Sequence, residues 1–193
     1  MSQSRRLTSA LVLEAAVEAV EEKGLNELSM QDLASRLGIK SPSLYNHISG
    51  LDDIRRQLTK EVLHRMENTI RDSAVGRSGE NALREMALAY RKSAKIHPEL
   101  YKAFASSRQP RDPEIEAAIQ SLVGVLFRVL EGYGLNPEQE VHFIRIFHSG
   151  IHGFVSLEAA GFFGGDLLAD ETFDELIKSQ AMLLNYYKKN SEE

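Results

Sequence analysis

Apolar residues recur three and four apart along this chain, and strand-like alternation is nearly absent, so the pattern predicts helices from end to end. The first runs from about 8 to 23, with Leu13, Ala16, Val17 and Val20 as its inner stripe and Gly24 as its stop. A short second helix is capped by Ser29, with Asp32 three residues on and Met30, Leu33, Ala34 and Leu37 on one face; Gly38 ends it. Ser41 is expected to cap a third, with Pro42 in its first turn and Leu44 and Ile48 pointing inward. Ser49-Gly50 breaks the chain. A fourth helix follows over about 51–72 through Ile54, Leu58, Val62, Met66 and Ile70.

After a glycine-containing loop over 74–79, the spacing predicts a helix over 80–96 with Leu83, Met86, Ala87, Tyr90 and Ala94 on one face. Pro98 opens a short one through Leu100, Tyr101 and Phe104. Asp112-Pro113 and Asn136-Pro137 are strong helix starts. The helix opened by the second is apolar nearly all round, from Val141 through Phe143, Ile144, Ile146, Phe147, Ile151, Phe154, Val155 and Leu157, until the glycines of 161–165. A last helix spans about 172–188, with Phe173, Leu176, Ile177, Leu184 and Tyr187 inward. The fold class expected is all-α, divided near residue 74.

Composition narrows the function. At 193 residues the chain can bury a core without staples, and having no cysteine it makes no disulfide, thiolate metal site or cysteine nucleophile. No stretch approaches the roughly 18 apolar residues of a membrane span, and the start of the chain lacks the apolar core of a secretion signal. A cytoplasmic protein without membrane attachment is expected. The formal charge of −5 excludes a general polycation for nucleic acid. Residues 1–72 carry ten Lys/Arg against eleven Asp/Glu, the rest thirteen against seventeen. The positive groups of the first part cluster at Arg5 and Arg6, and at Arg36 and Lys40 around the turn after helix two.

The segment from Ser29 to Ile48 carries the clearest chemistry. Gly38-Ile39-Lys40 joins two short helices, and a glycine turn of this length sets helices at a steep angle. Leu33, Leu37, Leu44 and Ile48 can bury one side of the corner. The other side offers Ser43, Tyr45, Asn46 and His47, with Lys40 and Ser41 at its front edge. Such groups at the N-terminal end of a helix suit entry into a DNA major groove. An ordinary helical hairpin with a polar outer face satisfies the same spacing.

Three stretches go further: Ala15-Ala-Val-Glu-Ala-Val-Glu-Glu-Lys-Gly24, Leu28-Ser-Met-Gln-Asp-Leu-Ala34 and Leu37-Gly-Ile-Lys-Ser-Pro-Ser-Leu-Tyr-Asn-His47. Together they resemble the N-terminal domain of the TetR family of bacterial transcriptional repressors over about residues 6–54. The resemblance implies a three-helix helix-turn-helix DNA-binding domain (1–50), a connecting helix (51–72), a helical ligand-binding and dimerisation domain (73–193), and a homodimer. It places Tyr45 and His47 on phosphates. Ile48 stands where the family often has Phe, and Leu51 where it often has a phosphate-binding Lys, a contact that is absent here or comes from another residue such as Arg55 or Arg56. Phe147-His-Ser-Gly-Ile-His-Gly-Phe-Val-Ser-Leu-Glu158 is similar to the Trp-His-Gly segment of one C-terminal subfamily, with His152 and Gly153 matching and no Trp in the chain.

Other residues allow plainer readings. His148 and His152 have metal-ligand spacing on a helix, with His142 earlier, but a packed or hydrogen-bonded pair is the preferred expectation and no metal is assigned. Arg128 and Arg145 lie in apolar helices and are expected to pair with a buried carboxylate such as Glu158 or to meet an anionic ligand. Phe162-Phe163 reads as a helix-end staple or interface anchor. No nucleophile elbow, phosphate loop or dinucleotide fingerprint is present, so no cofactor is expected. Two readings stand beside the regulator: a helical metal-dependent enzyme using His148, His152 and Glu158, and a dimeric adaptor without DNA binding.

The reading is therefore a dimeric, ligand-responsive repressor, not an enzyme, released from a palindromic operator by a small hydrophobic molecule. Candidate DNA-contacting residues are Arg5, Arg6, Ser29, Lys40, Ser41, Pro42, Ser43, Tyr45, Asn46 and His47. Tyr90, Phe104, Phe127, Phe147, His148 and His152 are candidate ligand-cavity residues, and Gly150, Gly153, Phe154 and Leu184 candidate interface residues. The connecting helix is the expected lever between effector and DNA.

Overall fold

The computed structural model describes residues 7–106, 112–164 and 168–189. These form nine α-helices and no strand: α1 Ser9–Lys23, α2 Met30–Arg36, α3 Ser41–Leu44, α4 Leu51–Ala74, α5 Gly79–Ile96, α6 Pro98–Ser106, α7 Pro113–Leu130, α8 Pro137–Ala159 and α9 Ala169–Lys189. The fold is all-α, and it divides into two compact units. The first holds the described residues of Met1–Val62 and His97–Pro110, the second those of Leu63–Ile96 and Arg111–Glu193. The division falls inside α4.

In the first unit, Thr8 caps α1 by accepting the Leu11 N–H at 3.3 Å, and Gly24, at φ +81°, turns the chain out of the helix. The buried stripe of α1 is Val12, Ala15, Ala16, Ala19 and Val20, one position round from the stripe read in the sequence; Leu13 and Val17 are half-buried. Three alanines on this face let neighbouring helices approach closely, a signal that large apolar residues do not carry. The short helix α6 packs on α1 within this unit, with His97 Nδ1 3.0 Å from a carboxylate oxygen of Glu21.

Ser29 caps α2 by accepting the Asp32 N–H at 3.1 Å. Gly38, at φ +65°, closes α2 while the Ile39 N–H donates back to the Ala34 carbonyl at 3.0 Å. The cap of α3 differs from expectation. Lys40 occupies the N-cap position without a side-chain cap bond, and Ser41 and Pro42 already lie in the first turn. α3 proper is one turn, continued through Tyr45–His47 as a turn, where Ile48 donates to the Leu44 carbonyl at 3.1 Å. α4 is started by Asp53, whose carboxylate accepts the Ser49 N–H at 2.9 Å.

The second unit packs α5, α7, α8 and α9 together. Asp112 caps α7, and Asn136 with Gln139 forms a reciprocal capping box at the head of α8, both bonds at 2.9 Å. Met86, Leu130, Phe143, Ile151, Phe173 and Leu184 form the most deeply buried part of its core. Arg91 is also buried, on the α5 stripe between Ala87 and Ala94.

Candidate nucleic-acid interface and small-molecule site

Burial on one side and solvation on the other set the α2–α3 corner. Leu33 and Leu44 are fully buried and Ile48 nearly so, which holds α3 against α2, and α2 in turn packs on α1. Opposite them, Lys40, Pro42, Tyr45 and Asn46 are exposed, Tyr45 to 60%, while Ser41, Ser43 and His47 are half-buried. Among the described residues no ring contact or hydrogen bond accounts for an aromatic ring this open at the mouth of a packed corner. The His47 carbonyl accepts the Ser9 hydroxyl at 3.1 Å, fastening the end of the reading segment to α1. Ser29 is exposed, its hydroxyl engaged as the α2 cap.

Arg36 flanks the same turn but is not offered outward. Its guanidinium bridges Glu22 at 2.6 Å and Asp32 at 2.8 Å, and Asp32 also accepts from Lys23 at 2.8 Å. Lys23 and then Arg36 hold the Asp32 carboxyl below the ordinary carboxylate range, and Arg36 does the same to Glu22. This bridge joins α1 to α2, while Lys40 stands exposed at the front of α3. Arg55 and Arg56 are exposed near the head of α4, Arg55 reaching Asp52 at 3.3 Å. Arg5 and Arg6 lie outside the described residues.

The second unit brings three of the expected cavity residues together. The Tyr90 hydroxyl of α5 and His152 Nδ1 of α8 share a hydrogen bond of 2.8 Å. The His148 ring lies 5.6 Å from that of His152 and 6.3 Å from that of Tyr90. His148 is exposed and His152 half-buried; partial desolvation against the neighbouring helix lowers both imidazoles from their ordinary pKa of 6.5, with the charge of His152 adding to the effect on His148. Phe147 points into the core and stacks on Phe143 at 5.9 Å, Phe127 is half-buried on α7, and Phe104 belongs to the first unit.

Two expectations about charge are corrected. Arg128 and Arg145 are exposed rather than buried. Glu158 pairs instead with Arg91 at 2.8 Å and Lys95 at 3.1 Å, and Arg91 also reaches Asp170 at 2.7 Å and lies over the rings of Phe154 and Phe173. Arg91 was legible only as the missing member of the α5 stripe. Glu158 is thus tied into an ion cluster, which removes it as a free acid beside the histidines.

The proposed interface residues also divide. Leu184 is fully buried in its own chain, and Phe154 packs between Phe163 and Phe173 at 4.8 and 4.9 Å. A Cβ at Gly150 would meet Leu176 of α9 at 3.3 Å, so this glycine serves the α8–α9 contact; Gly153 faces open space. The large apolar residues left exposed on α8 and α9 are Ile146, Leu157, Met182 and Tyr186, with Phe162 exposed beyond α8.

Residues 12–55 match the bacterial regulatory proteins of the tetR family, and residues 83–180, half of the chain, match the tetracyclin repressor-like C-terminal domain. The chain belongs to the TetR family. An uncharacterized HTH-type transcriptional regulator of Mycobacterium tuberculosis is 34% identical over 92% of this chain and 81% of its own. The class D tetracycline repressor of Escherichia coli is 32% identical over 48% of this chain and 45% of its own. The fold matches the crystal structure of a putative regulatory protein at a TM-score of 0.77, with 22% identity over 89% of this chain and 94% of the other. This TetR-family chain is accordingly a ligand-responsive, DNA-binding transcriptional regulator, from a family of regulators rather than enzymes.

Proposed function

We propose that this regulator is a homodimeric repressor whose two α3 segments enter successive major grooves of a palindromic operator, and that a small apolar or amphipathic molecule in the second unit releases it. The observation that carries the reading is the α2–α3 corner, where fully buried Leu33 and Leu44 oppose exposed Lys40, Tyr45 and Asn46. Lys40, Tyr45 and His47 contact phosphate; Ser41, Ser43 and Asn46 reach base edges, Asn46 being suited to adenine. Arg5 and Arg6 join from the preceding arm.

The dimer forms through α8 and α9, where Ile146, Leu157, Met182 and Tyr186 remain exposed and Gly153 leaves room for close approach. For the effector, α5, α7 and α8 supply Tyr90, His148 and His152 among half-buried apolar side chains such as Leu122, Leu126 and Phe127. Effector binding favours a conformation in which the two α3 segments no longer match the operator, with α4 as the element common to both units. The test is fluorescence anisotropy of a protein-selected DNA duplex titrated with apolar and amphipathic compounds. Dissociation by such compounds, lost when Tyr90→Ala and His152→Ala are introduced together, is expected. Operator binding that no such compound weakens would contradict the effector half of the reading.

A further inference from the structure

We propose that Ser9 of α1 and Asp53 of α4 clamp the segment leaving α3 from two sides, and that both are positioning residues for DNA recognition, setting where Tyr45 and His47 meet the duplex. This rests on the reading that Tyr45 and His47 contact phosphate. α3 is a helix of four residues continued by the turn Tyr45–His47, too short to hold its own geometry in water. Its exposed side chains stand only where neighbouring elements fix the backbone beneath them. Three consecutive residues past Asn46 are fixed from different directions. The last carbonyls of a helical segment lack intrahelical donors, and that of His47 accepts the Ser9 hydroxyl at 3.1 Å. The Ile48 side chain is buried. The Ser49 N–H donates to the Asp53 carboxylate at 2.9 Å.

Both anchors stand on longer helices with buried faces, Val12 and Ala16 following Ser9 on α1, and Ile54 and Leu58 following Asp53 on α4. Gln57, one turn along α4, donates to the other Asp53 oxygen at 3.0 Å and so orients the carboxylate. The Ser49 N–H, and then Gln57, hold the Asp53 carboxyl below the ordinary carboxylate range, so it is ionised at neutral pH. An ionised carboxylate beside a DNA-contacting segment repels the phosphate backbone. Charge alone therefore predicts tighter binding when Asp53 is removed; the clamp predicts weaker binding. Lys40, at the opposite end of α3, lies away from both anchors along the segment and serves as the internal control.

The test is an anisotropy titration, at one salt concentration, of a duplex that the wild-type protein has selected from a random DNA pool. Ser9→Ala should weaken binding about five-fold per half-site, the worth of one hydrogen bond, and Ser9→Thr, which keeps the hydroxyl, should restore most of it. Asp53→Ala should weaken binding at least as much. Asp53→Asn removes the same charge but keeps an acceptor oxygen, and should retain binding. Ser9→Ala added to His47→Ala should cost less than about two-fold more, whereas added to Lys40→Ala it should cost its full factor. Thermal denaturation shows whether each variant keeps its fold; if Asp53→Ala does not, the Ser9 variants and their two cycles decide. Ser9→Ala binding as tightly as wild type, or Asp53→Ala binding as tightly as Asp53→Asn, would overturn the clamp and leave the phosphate contacts standing. His47→Ala and Tyr45→Phe both binding as tightly as wild type would contradict the contact reading itself, and this proposal with it.

Discussion

Two residues show how tightly the second unit is built. Gly79 opens α5 at φ +59°, and a Cβ there would collide with the Tyr133 hydroxyl. Gly76 has a similar φ of +71° with open space around it. Both positions disfavour a side chain, at about 1–3 kcal/mol for a left-handed non-glycine residue, but at Gly79 a packing clash of similar size is added. Gly79→Ala should therefore lower the urea midpoint clearly more than Gly76→Ala. Equal effects would show that Tyr133 yields at no cost. Arg91 is the second case. It holds the Glu158 carboxyl below its ordinary 4.5 against the opposing effect of burial. A carboxyl with a depressed folded pKa stabilises above its unfolded value, and that contribution is lost as pH falls through the folded one. Wild-type protein should thus keep this contribution until pH drops below about 4.5. Arg91→Leu should cost about 3 kcal/mol at neutral pH, since it leaves a buried carboxylate with Lys95 alone. It should also move the acid-side loss to higher pH, both measurable by denaturation across a pH series.

At the scale of elements, the proposed reading gives α3 and its flanking residues two kinds of contact, which experiment separates. Lys40→Ala should weaken binding to all sequences alike and lower the salt slope by about one unit per phosphate contact, or about two for a dimer. Asn46→Ala should instead cost about 1–3 kcal/mol per half-site, relax base preference at one position and leave the salt slope nearly unchanged. Titrations at several salt concentrations, against a selected site and its single-base variants, distinguish the two; uniform losses from both variants would refute the division. Helix positions and the α2–α3 corner were legible in the sequence because caps, glycine stops and the period of Leu33, Leu37, Leu44 and Ile48 all agree. What was not legible depends on which faces meet. Three of the five buried residues of α1 are alanines, whose burial only a neighbour reveals. Arg128 and Arg145 sit in apolar helices yet face solvent, while Arg91 sits on the inner stripe and meets Glu158, which is 67 residues away in sequence. Spacing along one helix cannot choose among such distant partners.

Packing within each chain decides how two chains would meet. Phe154 and Leu184 serve the chain's own core, so Phe154→Glu should unfold the second unit rather than free a monomer. Met182 and Tyr186, 71% and 61% exposed on α9, are the substitutions that test association. Met182→Glu with Tyr186→Glu should leave the thermal transition of the monomer intact while shifting sedimentation equilibrium from dimer to monomer at micromolar protein. An unchanged dimer would move the interface elsewhere. The dimer matters because symmetry converts one reading segment into a two-part code. The most direct measurement is therefore selection of bound duplexes from a random DNA pool by the wild-type protein, followed by sequencing. An enriched inverted repeat whose half-sites lie about one helical turn apart is predicted. Enrichment of a single unrepeated site, or of no sequence at all, would contradict the central claim.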